Sequence, residues 1–155
     1  MVNIALKIHR NLLKKKAKIA VAESCTGGLL SALLTQYSGS SRYFILGLIT
    51  YSNQSKEKLF KIPPSFIAKN SAISQPVAIA MARKVRMLAK SDFGVGISGI
   101  AGPTGSSCRK PVGTVFIAIN GKAKTLSGEF HFRGTRIQIR KMAALKSLAL
   151  LNRLL

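Results

Sequence analysis

Residues 18–28, which read KIAVAESCTGG, decide the predicted fold of this chain. Residues 18–22 form a short apolar run that is typical of a buried strand, and the run breaks at Glu23-Ser24. Thr26 is a good N-cap for a helix that continues to Leu34. A strand that turns sharply into a helix is a building unit of α/β folds, so we expect this polar turn at the end of a sheet.

The rest of the chain alternates between helical and strand patterns. The Asn120-Gly121 pair predicts a hairpin between two strands, and Ser74 followed by Pro76 predicts the start of a well-capped helix. We therefore expect a single domain over residues 1–155, with a three-layer α/β/α sandwich and a mixed, mostly parallel sheet. The predicted helices cover residues 3–16, 26–34, 52–60, 74–88 and 136–154, and the predicted strands cover residues 18–22, 43–51, 93–98, 114–119 and 124–132.

Length and composition narrow the class of protein. With 155 residues, of which 47% are hydrophobic, the chain is long enough to bury a core of its own. It has no run of 18 apolar residues and no signal-peptide pattern, which predicts a cytoplasmic protein with no membrane partner. Cys25 and Cys108 have no metal-ligand spacing with His9 or His131, and the carboxylates are few and far apart. We therefore expect no metal site.

The net charge is unusual. Twenty-five Lys and Arg residues against four acids give a formal charge of +21, which attracts anionic partners. Nucleic-acid binding is one interpretation, and basic residues on solvated faces are the other. The basic residues are scattered along the sequence, and aromatic residues do not alternate with them as in single-strand binders. The sequence therefore favours solvated faces, and we do not expect nucleic acid as a partner.

Ser24 is the candidate nucleophile, because a serine in a strand-to-helix turn is lifted off the end of the sheet. The local pattern is not Gly-x-Ser-x-Gly, and simple helix capping by Ser24 and Thr26 is the alternative interpretation. Neither histidine has an obvious acidic residue to orient it, since the chain has only four acids, so a Ser-His-Asp triad is poorly supported. A desolvated lysine is the alternative base, and Lys56, just past the second strand, is the candidate. A solvated helix lysine is the other interpretation of Lys56.

Two further features could bind a ligand. The backbone amides around Cys25–Gly27 are candidates for an oxyanion hole. The Gly-rich loop Ser98–Gly105 follows another predicted strand, and ligands of open α/β sheets gather outside such strand ends. Cys25 itself has no histidine nearby in sequence, so we expect it to be a small buried side chain rather than a nucleophile.

Taken together, several segments resemble the CinA C-terminal domain family, whose stand-alone members are nicotinamide-nucleotide amidases. The resemblance runs through nearly the whole chain, in order and at the family's spacing. The segments that carry it are residues 22–28, 39–41, 50–53 with Lys56, 72–74, 98–103 and 110–114.

The resemblance implies hydrolysis of nicotinamide mononucleotide to nicotinic acid mononucleotide and ammonia, with no metal or other cofactor. It implies that Ser24 is the nucleophile, that Lys56 is its general base, and that Tyr51 binds substrate or polarises this pair. It also implies a homodimer. The substrate-binding positions that it implies are Glu23, Thr26, Gly27, Gly28, Ser41, Asn53, Ser98, Gly99, Ala101, Gly102, Gly105, Thr114 and Arg136.

The chain departs from the family's usual pattern around the substrate rather than at the catalytic pair. Ser71 stands where glycine is common, Thr135 stands where an acid is common, and the loop Thr104–Arg109 is poorer in glycine and acids. Two alternatives to an amidase therefore stay open at this point. One is a nucleotide-binding or regulatory module without turnover, and the other is a basic nucleic-acid-binding protein.

Overall fold

The centre of the fold is one mixed five-stranded sheet in the order β2-β1-β3-β4-β5. The computed structural model describes residues 3–155. Strands β1, β2 and β3 are parallel, β4 is antiparallel to β3, and β5 is antiparallel to β4. Four strands therefore point the same way, as the sequence predicted. The strands are β1 (Ile19–Glu23), β2 (Phe44–Ile49), β3 (Phe93–Gly99), β4 (Thr114–Asn120) and β5 (Thr125–His131).

Helices cover both faces of the sheet and complete the three layers. They are α1 (Ile4–Lys15), α2 (Leu29–Thr35), α3 (Asn53–Phe60), α4 (Pro64–Asn70), α5 (Gln75–Ala89) and α6 (Arg136–Asn152), with a 3₁₀ turn over Ser40–Arg42. Because side chains alternate along a strand, β1 contributes to both layers. Ile19 and Val21 pack with α1, α2 and α6, whereas Ala20 and Ala22 pack with α3, α4 and α5. The predicted α/β/α sandwich is confirmed.

Close packing of α5 on β3 depends on two glycines. A Cβ atom on Gly94 or Gly96 would overlap the carbonyl oxygens of Ala82 and Ala78 in α5. Without side chains at these positions, the helix axis approaches the sheet and buries Val85 and Met81 completely. This packing fixes α5 and β3, whose ends form part of the site described below.

Local capping signals predicted several element boundaries correctly. Ser74 accepts a hydrogen bond from the N–H of Val77 at the start of α5, and Ser52 does the same for Ser55 at the start of α3. Helix α3 ends at Phe60, before the two prolines, as expected. The short helix α4 was not predicted. No helix among residues 3–155 is long and apolar enough to cross a membrane.

The prediction that Thr26 caps α2 is wrong. The helix begins two residues later than expected, after Gly28, whose backbone has a left-handed conformation (φ +97°) that favours glycine. The N-terminal amides are instead bound by the side chain of Glu23. Its carboxylate accepts hydrogen bonds from the N–H groups of Gly28, Leu30 and Ser31. The capping group thus comes from the preceding strand rather than from the turn.

Candidate active site

A cleft of about 280 Å³ opens at the carboxyl ends of β1 and β3. This is the edge of an α/β sheet at which ligands usually bind. It is lined by residues from the turn after β1, the start of α3, the segment before α5, the loop after β3 and the first turn of α6. The lining residues are Ser24, Cys25, Tyr51, Asn53, Lys56, Ala72, Ile73, Ser98, Gly99, Ile100, Ala101, Gly102, Thr104, Gly105 and Arg136.

Ser24 and Lys56 meet at the base of this cleft. Lys56 Nζ lies 3.3 Å from Ser24 Oγ and donates a 2.8 Å hydrogen bond to the carbonyl oxygen of Thr50. Helix α3 positions Lys56. Ser52 caps the helix, and Lys56 follows one turn later on the face that points back at the sheet. Ser24 is 9% exposed and Lys56 is 2% exposed. The serine hydroxyl therefore faces the cleft with an amine directly behind it.

Burial controls the protonation of Lys56. Removing the ammonium from water lowers the pKa of Lys56 below its ordinary value of 10.5, and the neighbouring Cys25 opposes this shift. No carboxylate is paired with Lys56 among the salt bridges of the described residues. A neutral amine can donate to Thr50 while its lone pair accepts the proton of the Ser24 hydroxyl. The arrangement thus has the geometry of a serine activated by a lysine base.

Cys25 also lines the cleft, but its thiol is not poised to react. Burial raises the pKa of Cys25 to about 12, and the nearby carboxylate of Glu23 adds to the increase. The thiol is therefore protonated near neutral pH, whereas nucleophilic cysteines need a lowered pKa. The sequence-based expectation of a small buried side chain agrees with this environment.

The structure narrows the set of amides that could bind an oxyanion. The N–H of Gly27 donates to the carbonyl of Ser24, and the N–H of Gly28 donates to Glu23, so neither is free for a ligand. The N–H groups of Cys25 and Thr26 form none of the backbone hydrogen bonds of this turn. The prediction that Gly27 and Gly28 hold substrate through their amides is therefore corrected. Because Thr26 is completely buried and does not line the cleft, the N–H of Cys25 is the remaining candidate in this turn.

Arg136 bridges two walls of the cleft. Its guanidinium donates to the carbonyl of Gly102 at 2.6 Å and to the hydroxyl of Tyr51 at 2.8 Å. Tyr51 is 58% exposed, so it forms part of the rim and is hydrogen-bonded to Arg136 rather than to Ser24 or Lys56. Thr135 starts α6 with a capping box in which Gln138 is the reciprocal partner. Threonine at this position thus retains a capping function and places Arg136 in the first turn.

Ala72 and Ile73 form a second wall, and two side chains hold it in place. Ser98 Oγ donates to the carbonyl of Ala72, and Lys110 Nζ donates to the carbonyl of Ile73. Ser71 precedes this segment with φ +69° and ψ +141°, a conformation that is costly for any residue except glycine. This position is one at which the sequence departs from the family's usual glycine, so the departure introduces strain next to the cleft.

Some predicted binding residues do not line the cleft. Glu23 and Thr26 are completely buried, Glu23 in the cap of α2. Ser41 lies in the 3₁₀ turn before β2. Because β2 is parallel to β1, this turn is at the amino ends of the strands, opposite the cleft. Thr114 supports the loop through its own carbonyl, which accepts from Ile100. The predicted residues that do not reach the cleft are Glu23, Thr26, Gly27, Gly28, Ser41 and Thr114.

The structure also brings in two residues that sequence reasoning did not assign to a site, Ala72 and Ile73. Ala72 and Ile73 belong to one of the segments that carry the family resemblance, so that segment was the available signal. Cys25, Ile100 and Thr104 also line the cleft, and they belong to the turn and the Gly-rich loop that the sequence predicted to bind a ligand. Among residues 3–155, no group of three or more His, Cys, Asp or Glu side chains could hold a metal ion.

Comparisons with known proteins agree with this architecture. Residues 2–155 match the CinA C-terminal domain family. A CinA-like protein of Geobacter metallireducens is 47% identical over 135 residues, which cover 87% of this chain and 33% of that protein. A CinA-like protein of Koribacter versatilis is 51% identical over 126 residues, which cover 81% of this chain and 30% of the relative. The chain thus spans about a third of the length of these curated relatives.

Solved structures share the fold at nearly full length. The competence/damage inducible protein CihA from Agrobacterium tumefaciens has a TM-score of 0.95 at 31% identity, with 97% of this chain and 93% of that chain covered. A CinA superfamily protein from Escherichia coli has a TM-score of 0.93 at 29% identity, with 99% and 89% covered. The sheet order and the helical layers are therefore shared with solved members of this superfamily.

Proposed function

This chain belongs to the CinA C-terminal domain family, and we propose that it is a metal-free amidohydrolase acting on nicotinamide mononucleotide. The products are nicotinic acid mononucleotide and ammonia. The observation that carries this proposal is the position of Lys56 Nζ, 3.3 Å from Ser24 Oγ at the base of the cleft, with the lysine buried. A buried lysine beside a serine is a base and nucleophile pair that hydrolyses amides without a histidine.

In the first half of the reaction, neutral Lys56 takes the proton of the Ser24 hydroxyl as Oγ attacks the carboxamide carbon. A tetrahedral intermediate forms, and its negative oxygen is stabilised by the N–H group of Cys25, which lines the cleft. Lys56 then gives its proton to the nitrogen, so that the C–N bond breaks, ammonia leaves and an ester of Ser24 remains. The hydrogen bond from Lys56 to the Thr50 carbonyl keeps the amine in line during both transfers.

In the second half, water attacks the ester carbon and Lys56 accepts the proton of that water. Collapse of the second intermediate breaks the bond to Ser24 Oγ, which takes the proton back from Lys56. The carboxylate product then leaves with the enzyme restored. No group other than water is consumed, so this sequence requires no cofactor.

Arg136 is the proposed ligand of the substrate's phosphate. Its guanidinium is exposed at the rim and is held in place by Gly102 and Tyr51. Arginine binds phosphate through two parallel N–H groups, so it fixes the far end of a nucleotide while the carboxamide reaches Ser24. Asn53, Ser98 and Gly105 supply further polar contacts along the cleft.

A homodimer is the proposed assembly. Strand β2 is an outer strand of the sheet, with no strand of residues 3–155 on its far side, and it exposes Ile45 and Ile49. Leu59 of α3 is exposed as well. Exposed apolar side chains at a sheet edge favour association with another chain. Light scattering during gel filtration measures the mass directly, and a monomer at all concentrations would contradict this part of the proposal.

The decisive experiment measures ammonia release from nicotinamide mononucleotide by the wild type and by Ser24→Ala. The variant should lose activity, whereas Ser38→Ala, an exposed serine outside the cleft, should keep it. Release that survives Ser24→Ala would show that another group is the nucleophile. Calorimetry on the same samples distinguishes a non-hydrolysing nucleotide-binding module, since that alternative gives binding heat by the wild type without ammonia.

A further inference from the structure

The edge of the sheet opposite the cleft collects basic side chains from four separate parts of the chain. Strands β1, β2 and β3 begin at this edge, and the β4–β5 hairpin turns there. We call it the basic edge. Its exposed members are Lys14, Lys15, Lys16, Lys18, Arg42, Lys90, Lys122 and Lys124.

Two shallow crevices show that five of these side chains are neighbours in space. Lys16, Lys18 and Arg42 line one crevice, and Lys15, Lys16 and Lys122 line the other. Arg42 comes from the segment before β2, whereas Lys122 comes from the hairpin after β4. Residues that are 80 positions apart in sequence therefore belong to one continuous surface, because the sheet order places their strand ends side by side.

The charge of the basic edge is scarcely offset. Asp92 is its one acid among residues 3–155, and it is bound by the ammonium of Lys122 at 2.7 Å and by the N–H of Lys18 at 2.8 Å. Apart from Lys122, the eight side chains form no hydrogen bond or ion pair with other described residues. Lys110 and Arg140, near the cleft, instead each donate to a backbone carbonyl of the fold. The charges of the basic edge are thus available to a partner.

We infer that the basic edge binds the phosphate backbone of a nucleic-acid duplex. Four strand spacings of about 4.8 Å separate β2 from β5, so the row of cations is about 19 Å long. A duplex presents one negative charge per roughly 1.7 Å of its axis, which such a row can contact over about five base pairs. Phe93 is the one aromatic residue among residues 3–155 that lines the two crevices, and it is half-buried, so they offer phosphate contacts rather than an exposed surface for stacking unpaired bases. The cleft lies at the other edge and stays open in the complex.

The matched variants differ only in where charge is removed. Lys14→Gln, Lys15→Gln, Lys18→Gln and Arg42→Gln together neutralise part of the basic edge. Lys58→Gln, Lys69→Gln, Arg83→Gln and Lys141→Gln together remove the same charge from exposed positions elsewhere. Both sets lower the formal charge of +21 by four, so overall attraction decreases equally. Circular dichroism and thermal unfolding verify that both variants are folded.

Fluorescence anisotropy with labelled DNA and RNA duplexes of mixed sequence measures binding at about 150 mM salt. The wild type should bind with a dissociation constant of about 10⁻⁶–10⁻⁴ M. The edge variant should bind at least about tenfold more weakly, with a salt slope reduced by about three to four, whereas the control variant should change little. Comparing the two duplexes identifies which nucleic acid is preferred. Equal losses in both variants, absence of duplex binding, or binding only to vesicles of anionic lipid would each overturn the inference.

Discussion

The carboxylate of Glu23 accepts a 2.6 Å hydrogen bond from the hydroxyl of Ser31, and it also accepts from three backbone amides at the start of α2. Glu23 is completely buried and directly precedes the nucleophile. One side chain therefore joins the end of β1 to the helix that follows, across the turn that carries Ser24.

Replacing this carboxylate should destabilise the whole turn. In Glu23→Gln, an amide NH₂ group must face backbone N–H donors, so at least one buried donor loses its acceptor. We expect the free energy of unfolding to fall by about 2 kcal/mol, as for other lost hydrogen bonds to buried charged groups. Chemical denaturation of both proteins measures this difference in unfolding free energy. The matched variant Glu129→Gln, at an exposed position on β5, should change stability little, and an equal loss there would contradict the role given to Glu23.

Lys56→Met should reduce kcat/KM by about 10²–10⁴, because a general base contributes a factor of that size. In the wild type, kcat/KM should rise with pH as Lys56 loses its proton, with a midpoint below 10.5 because burial lowers this pKa. Ammonia release across a pH series measures both. Lys58→Met, on the exposed face of the same helix, is the control and should retain the wild-type profile.

The same lowered pKa predicts a pH dependence of stability. Between the folded pKa of Lys56 and 10.5, the unfolded chain binds more protons at this position than the folded chain does. The contribution of Lys56 to the free energy of unfolding therefore rises with pH across that window. The difference in unfolding free energy between wild type and Lys56→Met isolates this contribution. A difference that is constant with pH would contradict the lowered pKa.

The two cysteines should react very differently. Iodoacetamide should label Cys108, which is exposed, and leave Cys25, whose buried thiol has a pKa raised to about 12. Mass spectrometry of the native protein should show one modification, and none in Cys108→Ser until the chain is unfolded. Cys25→Ala should retain amidase activity, since the proposed mechanism uses only the backbone N–H of this residue.

Ser71→Gly should stabilise the protein by about 1 kcal/mol. Glycine relieves the unfavourable backbone conformation at φ +69°, and this gain exceeds the entropy that glycine adds to the unfolded chain. Ser65→Gly, at an exposed helical position in α4, should have the opposite sign because no strain is relieved there. Thermal unfolding of both variants checks the prediction. A loss of stability in Ser71→Gly would show that the segment is not strained.

Arg136→Gln should raise KM for nicotinamide mononucleotide by about 10- to 100-fold, the effect of losing a charged hydrogen-bonding partner of phosphate. Because Arg136 forms hydrogen bonds with Gly102 and Tyr51 and none with Ser24 or Lys56, kcat should fall much less. Arg133→Gln, an exposed arginine that does not line the cleft, is the control. An unchanged KM would assign the phosphate to another part of the rim.

Elements whose signals are local in sequence could be predicted. Ser74 and Thr135 cap their helices through groups three residues away, so the relevant contact lies within a window that the sequence displays. The alternation of strands and helices likewise predicts a layered α/β fold, because each element must bury one face. The start of α2 could not be predicted in this way, since its cap comes from Glu23, a strand residue that looked like a ligand-binding group.

Contacts between distant segments account for most of what the sequence did not reveal about the cleft. The Gly27 and Gly28 amides are a local exception. Their acceptors, the Ser24 carbonyl and the Glu23 carboxylate, lie three and five residues away, and the conformation of the turn decides whether they meet. Ser41 belongs to a segment that carries the family resemblance, yet the parallel direction of β2 places it at the far edge. The bond between Tyr51 and Arg136 joins α6 to the end of β2 and has no signal in either segment.

By itself, the sequence determined the α/β sandwich and the position of the turn over residues 22–28. Through the family resemblance it also singled out Ser24 and Lys56 as the candidate nucleophile and base. Only the tertiary structure decided which backbone amides of this turn face the cleft, that Arg136 joins Gly102 to Tyr51, and where the positive charge accumulates. The reason is physical. Secondary structure and caps depend on neighbours within a few residues, whereas the cleft and the basic edge depend on strand order and direction, which bring remote strand ends together.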